Sequence, residues 1–281
     1  MSSIYQAASG AWVFASGSIS WGWALGRPGY ASPIVQKAME QMIAIMLASA
    51  PTPAPPPLPP PSPSPFAPFD SADAFIRQQY LDLLGRPADS AGLSYWAGQV
   101  GADGSGRALV IDRFLASAEF MPRLQVARLY LAAFRRVPDP GGFDYWFDRN
   151  RAGLTLIPMA RYFVGAPEFA ARYGAVTDHV FVQLVYLNVF DRDPDPQGGA
   201  YWEDRLARGM DRGTLLAFFS ESSEGITRYR ARVDAIVTFE GLLQRPPATE
   251  EFGPWAQRLG AEPRTTLISD IIAGQEYAGR L

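Results

Sequence analysis

The stretch "GRPADSAGLSYW", Gly85–Trp96, combines a helix stop, an acidic turn, a glycine and a tyrosine–tryptophan pair. It returns as "RRVPDPGGFDYW" at Arg135–Trp146 and as "DRDPDPQGGAYW" at Asp191–Trp202. A catalytic motif used once needs no copies, so the recurrence speaks for architecture and the chain reads as a non-enzyme. With tryptophan as the ruler, Trp96, Trp146, Trp202 and Trp255 are separated by 50, 56 and 53 residues. Sixteen positions before each lies an aromatic residue: Tyr80, Tyr130, Tyr186 and Phe239. Ten positions before each lies an arginine (Arg86, Arg136, Arg192, Arg245), and 21–23 positions after each a glutamate (Glu119, Glu168, Glu224, Glu276). Self-similarity at this period marks a repeat protein. The registers are four, and the fourth has lost its Asp-x-x-Gly turn.

Each register reads as helical. In the first, Ser71 caps a helix whose Ile76, Tyr80, Leu83 and Leu84 fall on one face, and Gly85 and Pro87 stop it. Asp89 caps a second helix carrying Leu93, Trp96 and Val100, which Gly101 ends. Ser105 opens a third, with Val110, Phe114 and Ala118 in line. Strand-like alternation is absent. The expected fold is therefore all-α, an array of four three-helix repeats of about 50 residues. The repeats are placed at 70–122, 123–175, 176–228 and, in degenerate form, 229–281. Residues 51–69, mostly proline, read as a semi-rigid linker. Residues 1–50 read as a short strand-plus-helix segment whose apolar Val13–Leu25, with Trp12, Trp21 and Trp23, has no core of its own.

The bulk numbers exclude several classes of function. A net charge of −3 sets no field for a polyanion, so no nucleic acid is expected as partner. With no cysteine and one histidine, thiol catalysis, disulfides, the usual zinc sites and most histidine acid–base schemes are removed. His179, in "VTDHVFVQLVY", is expected in a helix start or partly buried. The first residues lack the basic and apolar regions of a secretory signal. The longest apolar patch, Met42–Ala50, is far shorter than the roughly 20 residues a spanning helix needs, so no transmembrane segment is expected. A cell-surface or extracellular location by a route that ignores N-terminal signals is weighed against a cytoplasmic one.

The repeated residues have mechanical readings. Asp89, Asp139 and Asp195 lie seven residues before their tryptophans, where a carboxylate bonds the free N–H groups of a helix first turn. Gly92, Gly142 and Gly198 lack side chains where the helix passes a neighbour. Calcium is the sharper alternative, since Asp191, Asp193 and Asp195 alternate as in a calcium loop. Pro196 and Trp202 occupy the places that such a loop gives to glycine and glutamate, and capping is preferred. No cofactor is expected otherwise. Adjacent helix positions point about 100° apart, so in each Tyr–Trp pair the tryptophan is expected to anchor the core. Tyr95, Tyr145 and Tyr201 are then left at the rim, where they stack on a sugar or a partner protein if exposed. The Arg86–Glu119, Arg136–Glu168, Arg192–Glu224 and Arg245–Glu276 pairs are expected as salt bridges tying the inter-helix turn to the end of the third helix.

"YLDLLGRPADSAGLSYW…ALVIDRFLASAEF" resembles the domain-of-unknown-function 4214 family, a short helical repeat of bacterial surface and secreted proteins. Tyr80, Leu84-Gly85-Arg86, Asp89, Gly92, Trp96 and "SAEF" (Ser117–Phe120) carry the likeness. "APEF" (Ala166–Phe169) and "SSEG" (Ser222–Gly225) mark the equivalent ends of repeats two and three. A more distant similarity, to the linker domain of phycobilisomes, implies a helical assembly module. Repeat four departs in its turn and reads as a terminal cap. "GAWVFASGSISWGWALGRPGYASPIVQKAMEQMIAIML" (Gly10–Leu47) resembles the C-terminal end of the large subunit of N,N-dimethylformamidase-like proteins. That likeness implies a strand and turn before a closing helix. The family's metal-binding residues are missing, so residues 1–50 read as a truncated remnant. Assembly or surface association through protein partners is the first expectation, and glycan binding through the Tyr–Trp positions the second. An amidohydrolase fragment fused to helical repeats is the third.

Overall fold

A computed structural model describes residues 2–6, 12–16, 32–48 and 64–281. The chain divides into two compact units, Met1–Pro61 and Ser62–Leu281. In the first unit, strands β1 (Ser2–Gln6) and β2 (Trp12–Ser16) pair antiparallel, with Ser2 opposite Ser16 and Gln6 opposite Trp12. Helix α1 (Pro33–Ala48) follows. Trp21 and Trp23 of the expected turn, and most of the proline-rich stretch, lie outside the described residues.

The second unit is all-α. Helix α2 (Ala72–Gln79) runs into a wider π turn at Tyr80–Leu84, and α3 (Ser90–Val100) and α4 (Arg107–Leu115) complete repeat one. Repeat two has α5 (Met121–Phe134), α6 (Pro140–Arg151) and α7 (Leu156–Gly165), followed by the short α8 (Pro167–Tyr173). Repeat three has α9 (Asp178–Phe190), α10 (Pro196–Ala207) and α11 (Arg212–Ser220). The long α12 (Ser223–Leu243) closes repeat three and begins repeat four, which continues through α13 (Thr249–Arg258), α14 (Arg264–Ile272) and α15 (Gln275–Arg280).

Every first helix stops the same way. Gly85, Arg135, Asp191 and Gln244 all adopt left-handed backbone, with φ of 66°, 50°, 55° and 55°. Glycine takes that conformation freely, whereas the other three carry a cost of about 1 kcal/mol each. Helices α5, α9 and α12 bury side chains on nearly every face, from Val126 to Phe134, Phe181 to Phe190 and Val233 to Leu242, and so form the centre of the core.

Three details differ from the sequence expectation. The third helix of repeat one begins at Arg107, after Gly106, because the Ser105 hydroxyl donates to Asp103 Oδ1 at 2.8 Å and not to the helix end. It ends at Leu115, leaving Ala118 in the turn that follows. The last residues of the expected linker join the compact unit: Phe69 packs edge-on to Phe75 and Tyr277, and Arg107 donates to the Ala67 carbonyl at 2.9 Å.

The array also closes on itself. Helix α11 lies on α7 so tightly that a Cβ at Gly213 would collide with the Arg161 backbone. Across the same seam Arg128, nearly buried, forms a bidentate pair with Glu221, both bonds at 2.7 Å. Repeat four comes back to repeat one: Arg264 Nε meets Asp112 at 2.9 Å, Gln79 donates to the Tyr277 phenol at 2.9 Å, and Arg280 pairs with Asp82. The expected terminal cap therefore has a partner.

Candidate functional site: the aromatic edge of each repeat

The inter-helix turn is a knot of four side chains. The repeat's arginine leaves the turn and lies over the aromatic ring six residues earlier. Its centroid distance is 4.9 Å for Arg86 on Tyr80, 5.3 Å for Arg136 on Tyr130, 5.3 Å for Arg192 on Tyr186 and 5.2 Å for Arg245 on Phe239. The same guanidinium grips the distant glutamate with two nitrogens. Nε meets Oε1 at 2.6 Å in Arg86–Glu119, 2.6 Å in Arg136–Glu168, 3.2 Å in Arg192–Glu224 and 2.5 Å in Arg245–Glu276. A planar fork suits this two-point grip as lysine would not. Hydrogen bonds from arginine hold the Glu119, Glu168 and Glu276 carboxyls below the usual carboxylate range. The glutamates were expected at the end of the third helix. They lie just beyond it, where the chain breaks and restarts: Glu168, Glu224 and Glu276 in the first turns of α8, α12 and α15, and Glu119 in the turn before α5. A carboxylate there also meets the positive end of a helix.

The Asp-x-x-Gly turn is the second half of the knot. Asp89, Asp139 and Asp195 accept the N–H of Gly92, Gly142 and Gly198 at 2.8, 2.7 and 2.8 Å. These glycines are required for a reason beyond backbone freedom. The phenol oxygens of Tyr80, Tyr130 and Tyr186 occupy the space that a Cβ would take, 2.6 Å away at Gly198 and closer at the other two. Burial pushes the Tyr130 and Tyr186 phenols above the ordinary tyrosine range, so they remain protonated.

A phenylalanine from the third helix is wedged between that tyrosine and the tryptophan. Phe114, Phe163 and Phe219 lie 5.0, 4.8 and 5.0 Å from Tyr80, Tyr130 and Tyr186. They lie 5.0, 5.2 and 5.1 Å from Trp96, Trp146 and Trp202. The reading by tryptophan spacing missed their common role, although each stands 17 or 18 residues after its tryptophan.

The tyrosine beside each tryptophan turns outward. Tyr95, Tyr145 and Tyr201 are 60%, 48% and 53% exposed, each edge-on to its tryptophan at 4.9–5.0 Å. Sequence reasoning also overlooked Tyr162 and Phe218, the exposed residues preceding Phe163 and Phe219. Tyr162 packs 4.9 Å from Trp146. In repeat three Tyr201, Trp202, Phe218 and Met210 line an open cleft of about 470 Å³, with Arg205 and the Arg192–Glu224 pair on its walls. Trp255 of repeat four has an arginine over its face, Arg258 at 4.3 Å, and is preceded by Pro254.

His179 takes the helix-start place of the two expected, in the first turn of α9, and is exposed there, with Nδ1 2.8 Å from Glu203 Oε1. Asp191 is the left-handed stop of α9, Asp195 is the cap of α10, and Asp193 accepts from Arg192 through its carbonyl. Among the described residues no group of three His, Cys, Asp or Glu could hold a metal ion. None of the described helices is long and apolar enough to cross a membrane.

The family model described as Domain of unknown function (DUF4214) matches residues 69–124 and 160–229. The chain carries DUF4214 repeats. The first DUF4214 match spans repeat one through the start of α5, and the second runs from α7 to the Tyr229 turn of α12. No curated protein and no solved structure matches the chain. The likeness of residues 10–47 to dimethylformamidase, which lies outside both DUF4214 matches, rests on its own residues.

Proposed function

We propose that this is a non-catalytic helical repeat protein that works by binding, holding protein partners in an assembly or at a cell surface through the tyrosine edges of its first three repeats. The observation that carries the reading is the division of labour within the motif. Its arginines, glutamates, aspartates and glycines are spent on one another, while Tyr95, Tyr145 and Tyr201 stand exposed. Aromatic residues are the usual anchors of protein interfaces, and here they sit on a rigid frame that costs little to order on binding. The test replaces all three tyrosines with serine and compares both forms by sedimentation velocity and by retention on the producing cells. Loss of self-association or of retention supports the reading. A triple variant that matches the native protein in both measurements overturns it.

The repeat-three cleft favours a second reading, a carbohydrate-binding module. Its ring faces, with the Arg192–Glu224 pair and Arg205 beside them, offer apolar stacking and polar hydrogen-bonding groups together. A glycan array is the measurement. Binding that is lost in Tyr201→Ala supports this reading, and an array without a binder removes it.

A further inference from the structure

A second cleft, on the α12 side of the unit, has chemistry unlike the aromatic edge. It is about 570 Å³ in volume and lies where the ends of α5 and α9 meet α12 and α13. Arg135 enters it from the left-handed stop of α5, while Arg228 and Arg232 enter one turn apart from α12. Asn188 and Asp191 come from the end of α9, and Gln257 from α13. The buried Tyr229 lies between the two α12 arginines in sequence, and its phenol donates to the Asn188 carbonyl at 2.7 Å, which fixes that side of the cleft.

The arginines here differ from those of the repeat motif. Arg86, Arg136, Arg192 and Arg245 are each locked to a glutamate. Among the described residues neither Arg135 nor Arg232 has a carboxylate within ion-pair range, and Arg228 donates to the Phe190 carbonyl at the end of α9. Three guanidinium groups against the single carboxylate of Asp191 leave two positive charges in one concave space. Arginine forks match tetrahedral oxyanions with two parallel N–H bonds, and a concave wall strengthens their field.

We propose that this cleft binds phosphate as its dianion, free or as the phosphomonoester of a sugar-sized molecule. The charge balance calls for a doubly negative group. The volume exceeds that of phosphate alone and falls within the range of small-molecule sites. The exposed Gln257 adds a side-chain amide for an attached polyol, while the Asn188 amide is spent on the Ala132 carbonyl and the Tyr173 phenol. The cleft shares no residue with the tyrosine edges, so phosphate binding is independent of the proposed function.

The test is calorimetric titration of the full chain with inorganic phosphate and with glucose 6-phosphate, against sodium chloride of matched ionic strength. Saturable binding of either phosphate, absent with chloride, is the expected result. Tighter binding of the sugar phosphate identifies the ester as the ligand class, and equal binding identifies the free ion. The Arg135→Ala/Arg232→Ala variant should raise the Kd at least about tenfold, the equivalent of one charge-assisted hydrogen bond. Both side chains are exposed, so the variant should keep the native Tm without phosphate. Arg113→Ala, which removes an exposed arginine of α4 outside the cleft, should leave the Kd unchanged. Heats no larger than those of chloride overturn the proposal, as does an equal loss of binding in the Arg113 variant.

Discussion

Repeats two and four solve one problem with different residues. In repeat two the capping carboxylate is at the helix start: Asp139 accepts the Gly142 N–H at 2.7 Å, and the Tyr130 phenol fills the space above Gly142. In repeat four the ring is Phe239, the cap position is Ala248, and Glu251 stands where the glycine was. Its Oε2 reaches back to accept the Ala248 N–H at 2.7 Å and also meets Arg245 at 2.7 Å. Without the phenol there is room for a side chain, and with a carboxylate three residues later the cap can be alanine. The three differences are one change. What both repeats keep is the arginine over a ring and its grip on the next helix. Repeat four also replaces the exposed tyrosine with Pro254, and buries Glu240 where the other three repeats carry Leu81, Leu131 and Leu187.

Glu240 offers the largest effect. Burial lifts its carboxyl to about 7 from the ordinary 4.5, with the Asp144 charge adding and Arg123 opposing. The folded state therefore holds a proton that the unfolded state releases, so this contribution is whole below about pH 4.5 and lost as the pH rises through about 7. Glu240→Gln should remove that slope and stabilise the protein at alkaline pH by on the order of 3 kcal/mol. Urea unfolding across this pH range checks it, and a slope that survives the substitution assigns the pH dependence to other groups.

Next comes the coupled change. Gly142→Glu alone should cost about 2 kcal/mol, because the phenol of Tyr130 must move. Adding Tyr130→Phe and Asp139→Ala, which completes the repeat-four set, should recover most of it. The comparison fails if the three costs simply add in chemical denaturation. The cap itself gives a smaller effect: Asp139→Ala should lose about 1 kcal/mol, whereas Ala248→Asp should gain less than that, since Glu251 already serves that end. Tm differences between the two variants measure it. Smallest is the exposed pair Arg192–Glu224, whose removal by Arg192→Met should cost less than about 1 kcal/mol and cost less still at high salt.

Much of the local structure was legible in the residues. The caps Ser71, Asp89, Asp139 and Asp195, the burial of Ile76, Tyr80 and Leu83, and the arginine and glutamate tracking each tryptophan all follow from spacing along one chain. The candidate site was legible only in part. Tyr95, Tyr145 and Tyr201 are marked by the sequence as neighbours of a core ring, yet Tyr162 and Phe218 beside them carry no comparable motif. The arginines at 135, 228 and 232 are scattered in the sequence and meet only because the ends of α5 and α9 converge on α12.

The sequence by itself determined most of the helices and the Asp-x-x-Gly caps, because those depend on groups a few residues to a few turns apart, and its period marked the arginine and glutamate that pair 31–33 residues apart in each repeat. Tertiary structure alone decided that the array closes, with Gln79 on Tyr277 and Arg280 on Asp82 nearly two hundred residues away. It also decided that Tyr162 and Phe218 join the exposed rings and which arginines go without a carboxylate. Periodicity records which face of a helix is apolar, and the helix that comes to cover that face is chosen by packing across the whole unit.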